Sequence, residues 1–138
     1  MPSNCHFLIT KTVSFSTSFY LKVFLRKCTT HLDLKGQFDF IFCNNTTIQE
    51  INRSFLNHDY TTDILTFELG TLANPHSELY LSVEQIRSQS LDYNMTFEDE
   101  LKFTIIHGFL HIKGYDDDTP KKRKQMHALQ TAILQTVS

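Results

Sequence analysis

Two histidines four residues apart constrain this chain more than any other feature. A glycine follows three residues after the second, and an acid three after that, in "HGFLHIKGYDD" from His107 to Asp117. Residues i and i+4 share one face of an α-helix, about one turn apart. His107 and His111 can therefore both reach one ion at the roughly 2.0–2.1 Å that zinc–nitrogen bonds require. Gly114 lets the chain leave the helix sharply, and three residues later the chain can return a third ligand. Random order of this composition would give about 0.36 histidine pairs at that spacing, but the pattern with its glycine and acid only on the order of 0.001 times.

Asp116, Asp117 and Asp118 are adjacent, so the third ligand has neighbours that compete for the role. Asp117 has the spacing of three-ligand zinc sites of the H-x-x-x-H-x-x-G-x-x-H type, whereas Asp118 has a rival use as a helix N-cap. The expected metal ligands are His107, His111 and Asp117. Zinc proteases of this spacing carry a glutamate after the first histidine, which takes the proton of the attacking water. Here that position is Gly108, which argues against a peptidase. A three-ligand site still leaves a position for water, so hydrolysis of another substrate stays open.

The remaining chain reads as one α+β domain over residues 1–138, a small mixed sheet of about four strands with helices packed on it. Residues 5–9 form a short apolar strand. Residues 16–28 form an amphipathic helix with a serine or threonine start. In "QFDFIFC" (37–43), Phe38, Phe40 and Phe42 alternate with Gln37, Asp39 and Ile41, which marks a strand with one buried face. "NNTTIQEINRSFL" (44–56) opens with capping residues and spaces Ile48, Ile51 and Phe55 as a helix. Strands at 61–69 and 78–83 flank a turn at 70–77, and a short helix follows over 82–91. Two long helices finish the chain. Thr96 with Asp99 caps the first and Gly114 stops it. Asp118 or Thr119 caps the second, with Pro120 at its first position and Met126, Leu129, Ile133 and Val137 as its buried stripe.

The formal charge of −2 argues against a surface that is basic throughout for gripping nucleic acid, though not against a local patch. "KKRK" (121–124) reads as the solvated side of a helix, with RNA phosphate contact as its other use. In "LNHDYTTD" (56–63), His58, Asp59 and Asp63 serve either as one wall of a metal cleft or as turn polarity. Cys5, Cys28 and Cys43 form no C-x-x-C pair and read as reduced, buried thiols of a cytosolic protein. No secretory signal is evident at the start, and no apolar run approaches the roughly 20 residues that span a bilayer.

"HGFLHIKGYDD" resembles the H-G-x-L-H-x-x-G-Y-D-H motif of the YbeY family of metal-dependent endoribonucleases and rRNA maturation factors. "NRSFLNHDYTTDILTF" (52–67) is similar to the family's upstream signature, and "SELYLS" (77–82) to its G-D-I-x-I-S strand. The resemblance spans roughly residues 37–135. It implies an α+β fold, one zinc ion per chain on His107, His111 and Asp117, and a cytoplasmic role. The implied partners are rRNA and the small ribosomal subunit or its precursors, with ribosome-assembly proteins beside them. The implied reaction is cleavage of single-stranded RNA in late 16S rRNA 3′-end maturation, driven by Lewis-acid activation. Asp117 stands where the family has histidine, and Ser77 with Glu78 where it has Gly-Asp. Leu56 stands where many members carry an arginine assigned to the substrate, which leaves Arg53 or His58 as the expected substrate contact. No general base can be named from the sequence. A non-catalytic ribosome-assembly factor with a structural metal is the alternative.

Overall fold

The computed structural model describes residues 4–55 and 62–138. Its elements run β1 (Cys5–Lys11), α1 (Leu21–Leu32), β2 (Gly36–Cys43), α2 (Asn45–Phe55), β3 (Ile64–Glu68), β4 (His76–Ser82), α3 (Val83–Asp92), α4 (Phe97–Lys113) and α5 (Pro120–Val137). The strands form one mixed sheet in the order β1-β2-β4-β3. β1 and β4 run parallel to β2, and β3 runs antiparallel to β4. This is the α+β arrangement expected from the sequence.

Period-two alternation does what it should in β2. Phe38, Phe40 and Phe42 are fully buried, and the rings of Phe38 and Phe40 meet Phe109 of α4 edge-on at 5.5 and 5.6 Å. Leu79 and Leu81 of β4 extend this apolar face. α4 lies across it, burying Leu101, Ile105, Ile106, Phe109 and Leu110. Gly108 stands at the closest approach. A Cβ there would lie 2.5 Å from Ile64 Cδ1 and 2.9 Å from Leu79 Cδ2, so any side chain at 108 would have to displace the ends of these two chains. Position 108 thus points into the core, away from the side on which His107 sits.

The ends of the last two helices follow the expected chemistry. Thr96 Oγ1 accepts from Asp99 N at 3.1 Å, and Glu98, Asp99 and Glu100 complement the dipole in the first turn. Gly114 closes α4 at φ 111°. Of the two candidate caps for α5, Thr119 takes the role, accepting from Lys122 N at 3.1 Å. Asp118 instead pairs with Lys122 Nζ at 3.2 Å. Along α5, Gln130 joins Met126, Ile133 and Val137 in the buried stripe, its amide bonded to Phe103 O at 3.1 Å, while Leu129 is only partly buried.

Two expectations need correction. The first helix begins at Leu21, not at Ser16, and its N-cap Tyr20 makes no side-chain cap bond. Ser18 is committed elsewhere: its N–H and hydroxyl both donate to the Glu98 carboxylate, at 2.7 and 2.5 Å. Phe55 was expected on the buried face of α2, but it is 75% exposed, and Asn52 occupies the buried position. Among the described residues the Phe55 ring meets Phe67 of the edge strand β3, with centroids 6.4 Å apart.

Gly108→Ala is expected to lower stability by about 1–3 kcal/mol through overpacking, despite the helix propensity of alanine. Gly108→Glu, which drives a charged chain into the same contact, is expected to abolish cooperative folding. Urea denaturation followed by circular dichroism measures both, and an unchanged midpoint for Gly108→Ala would show that the helix does not need this approach.

Candidate metal centre

His107 and His111 occupy successive turns of α4 and are half-buried, with side chains 22% and 28% exposed. Their Nε2 atoms lie 2.8 Å apart. The loop after Gly114 brings Asp117, 34% exposed, back to the same point: its Oδ2 is 3.1 Å from His107 Nε2 and 3.5 Å from His111 Nε2. The αL conformation of Gly114 makes this return, with its N–H on Leu110 O and His111 O and Tyr115 N on Leu110 O.

Zinc bonds of about 2.0–2.1 Å at tetrahedral angles place ligand atoms about 3.3 Å apart. The three observed separations bracket that figure. The three residues form a group that could hold one ion, with every ligand atom within 4.8 Å of the others. Three acceptor-bearing groups converging on one point, partly withdrawn from water, suit a cation. Two imidazoles and one carboxylate also leave a coordination position open, in the pattern of catalytic rather than closed structural sites.

Beside this centre runs a cleft of about 540 Å³ between α3, α4 and α5, with His107 and Asp117 at one end. Its inner wall is a polar network. Gln89 Nε2 donates to Asp63 Oδ2 at 3.1 Å and to Glu100 Oε1 at 3.2 Å, and Thr104 Oγ1 donates to Asp63 Oδ2 at 3.4 Å. Glu100 is only 2% exposed, and its Oε2 has no hydrogen-bond partner among the described residues. Burial pushes its pKa up, the nearby Asp63 adds to this, and the Gln89 hydrogen bond and His127 oppose it.

Asp63, read from the sequence as a candidate cleft wall, does line the cleft. Arg53 is exposed at the end of α2 and is not among the described residues that line it. Leu56, His58 and Asp59 lie outside the described residues. Glu100, Thr104 and His127 were not singled out from the sequence. A signal existed for two of them: Glu100 and Thr104 stand seven and three residues before His107, on the same helix face. The three cysteines are buried and unbridged, and burial raises Cys28 to about 12 and Cys43 to about 11, so neither offers a thiolate at neutral pH.

Fold and site together define an α+β domain with a candidate two-histidine, one-carboxylate metal centre beside an open cleft. The chain belongs to the family described as Endoribonuclease YbeY, whose sequence pattern matches residues 9–138. The Endoribonuclease YbeY of Chlorobaculum parvum is 40% identical over 102 residues, 74% of this chain and 72% of that protein. The Endoribonuclease YbeY of Bacteroides fragilis is 39% identical over 99 residues, 72% of this chain and 71% of its own. The solution structure of TM1509 from Thermotoga maritima superposes with a TM-score of 0.65 at 27% identity, covering 96% of this chain and 89% of that one.

Two outcomes check the site. Asp117→Ala is expected to weaken zinc affinity by more than the 10–100-fold typical of losing an outer-shell partner. Asp116→Ala and Asp118→Asn, which alter only the turn and the Lys122 pair, should fall well below that. Competition with a chromophoric chelator measures all three, and a larger loss in either neighbour would reassign the ligand. Separately, the native state holds the Glu100 proton more tightly than the unfolded chain, so its contribution to stability falls as pH rises from the ordinary carboxylate range through the raised value. Glu100→Gln should therefore raise the urea midpoint over wild type by more at pH 7 than at pH 4. An equal gain at both would show that the carboxyl titrates normally.

Proposed function

We propose that this protein is a zinc-dependent endoribonuclease that cleaves single-stranded RNA in late maturation of small-subunit rRNA. The observation that carries the reading is the convergence of His107, His111 and Asp117 at one end of an open cleft, in a member of the endoribonuclease YbeY family. His107, His111 and Asp117 would hold one zinc ion per chain. When bound, the ion supplies Lewis acidity toward a phosphoryl oxygen or a water.

The chain's own residues supply the rest. α4 fixes two imidazoles on a rigid element, and the capped turn from Gly114 to Thr119 fixes the carboxylate, so the centre is preorganised. The Asp63–Gln89–Glu100 network stiffens the cleft wall next to it. Position 108, where zinc proteases of this spacing carry their general base, is a glycine turned toward Ile64 and Leu79 of the sheet. Peptide hydrolysis by that route is therefore closed. The partners that fit this reading are rRNA and the small ribosomal subunit or its precursors, together with ribosome-assembly proteins, in the cytoplasm. Among the described residues no helix is long and apolar enough to cross a membrane.

Zinc-loaded protein, purified to exclude contaminating nucleases, is expected to cut single-stranded RNA and leave casein-derived peptides intact. The His107→Ala, His111→Ala double variant should lose RNA cleavage while keeping its circular dichroism spectrum. Cleavage that survives in the double variant would place the chemistry elsewhere. Binding of pre-ribosomal particles with no cleavage by wild type would transfer the reading to a non-catalytic assembly factor.

A further inference from the structure

The cleft beside the metal centre poses an electrostatic problem for a polyanionic ligand. Asp63, Glu100 and Asp117 all line it, beside His107 and His127, and Asp117 and His107 would be turned to the metal. A phosphodiester carries a negative charge of its own, and in a partly desolvated cleft like charges repel far more strongly than in water. Among the described lining residues there is a single lysine or arginine, Arg123.

Its placement follows from helix geometry. Arg123, Met126, His127 and Gln130 stand at i, i+3, i+4 and i+7 of α5, and all four line the cleft. Lys121, Lys122 and Lys124, the other members of the basic run, do not line it, and Lys122 is paired with Asp118. The run read from the sequence as a solvated face is thus divided: three lysines turn elsewhere and the arginine joins the cleft. Its Nη1 donates to the backbone carbonyl of Asp117 at 3.4 Å, which sets the guanidinium beside the third candidate metal ligand. A guanidinium has five N–H donors in a rigid fork, so this one bond does not exhaust it. The fork matches two oxygens of one phosphate, a geometry that a lysine ammonium does not reproduce.

We propose that Arg123 is a phosphate-binding residue of this chain, gripping the non-bridging oxygens of an RNA phosphodiester seated next to the metal centre. This deepens the endoribonuclease reading and rests on it. Arg123 touches the substrate and orients it against the three-ligand site. The long, exposed bond to the Asp117 carbonyl places the guanidinium at the cleft and leaves it free to turn toward a phosphate.

The test uses a labelled single-stranded RNA hexamer with 2′-O-methyl groups, which cannot be cut through its 2′-hydroxyls, titrated by fluorescence anisotropy into zinc-loaded full-length protein. Arg123→Gln is expected to weaken binding at low salt by about tenfold, the loss of charge-assisted hydrogen bonds. It should also lower the slope of log affinity against log salt by about 0.7, one phosphate contact on a single strand. Arg123→Lys should keep the slope and recover part of the affinity, and Lys121→Gln should bind as wild type. Zinc affinity should be the same in every variant. Unchanged binding in Arg123→Gln would overturn the proposal. So would an equal loss in Lys121→Gln, which marks a diffuse basic surface, or a parallel loss of zinc, which marks a tether for the Asp117 loop. Wild-type protein that binds the hexamer through Arg123 yet leaves unmodified RNA uncut would sink the cleavage reading and leave this one standing.

Discussion

The close approach of α4 to the sheet at Gly108 is the constraint on which the rest of the molecule depends. With no side chain in the way, the helix settles onto Ile64 of β3 and Leu79 of β4. That contact, together with the burial of Leu101, Ile105, Phe109 and their neighbours, sets the rotation of the helix about its axis. Once residue 108 faces the sheet, the 100° step of the helix sends residues 100, 104, 107 and 111 toward one flank, and these carry the cleft wall and two candidate ligands. A rotation of one residue would bury a histidine and expose Phe109. The glycine that removes a catalytic base from this position is thus the same glycine that aims the imidazoles.

The candidate metal-binding group is also economical in chain entropy. Two ligands share one helix, so no loop has to close to bring them together, and the third returns after a short turn. Both ends of that turn are held by local hydrogen bonds, the Gly114 closure of α4 and the Thr119 cap of α5. The acidic residue between them has little freedom in where it points. Its two acidic neighbours differ from it only in position, and position decides: Asp118 is drawn off by Lys122.

What the sequence made legible follows the range of the interactions involved. The pairing of His107 with His111 on one face of α4, the Thr96 and Thr119 caps, the Gly114 stop and the alternation of β2 all rest on contacts within a few residues, and each could be read directly. The start of α1 could not, because Ser18 is claimed by Glu98, 80 positions away. Local capping propensity lost to a tertiary partner. The exposure of Phe55 and the burial of Asn52 likewise depend on which face of α2 meets β4, which periodicity alone leaves open. The same limit hid Arg123. Its charge and helix were evident in the sequence, but its membership of the cleft is set by how α5 packs on α4. The roles of Arg53 and His58 as substrate contacts rest on the family resemblance and not on anything local.

The strand order carries a consequence for how the chain comes to be assembled. Among the described residues the four strands lie before residue 83, and β4, the last of them, fits between β2 and β3. The platform is therefore incomplete until that strand is made, and complete before α4 begins. A polypeptide leaving the ribosome from its N-terminus, at about 5–20 residues per second, would expose every strand of this sheet before α4 emerges to cover its apolar face. The segment that carries the candidate ligands is therefore made late, after every strand it packs against.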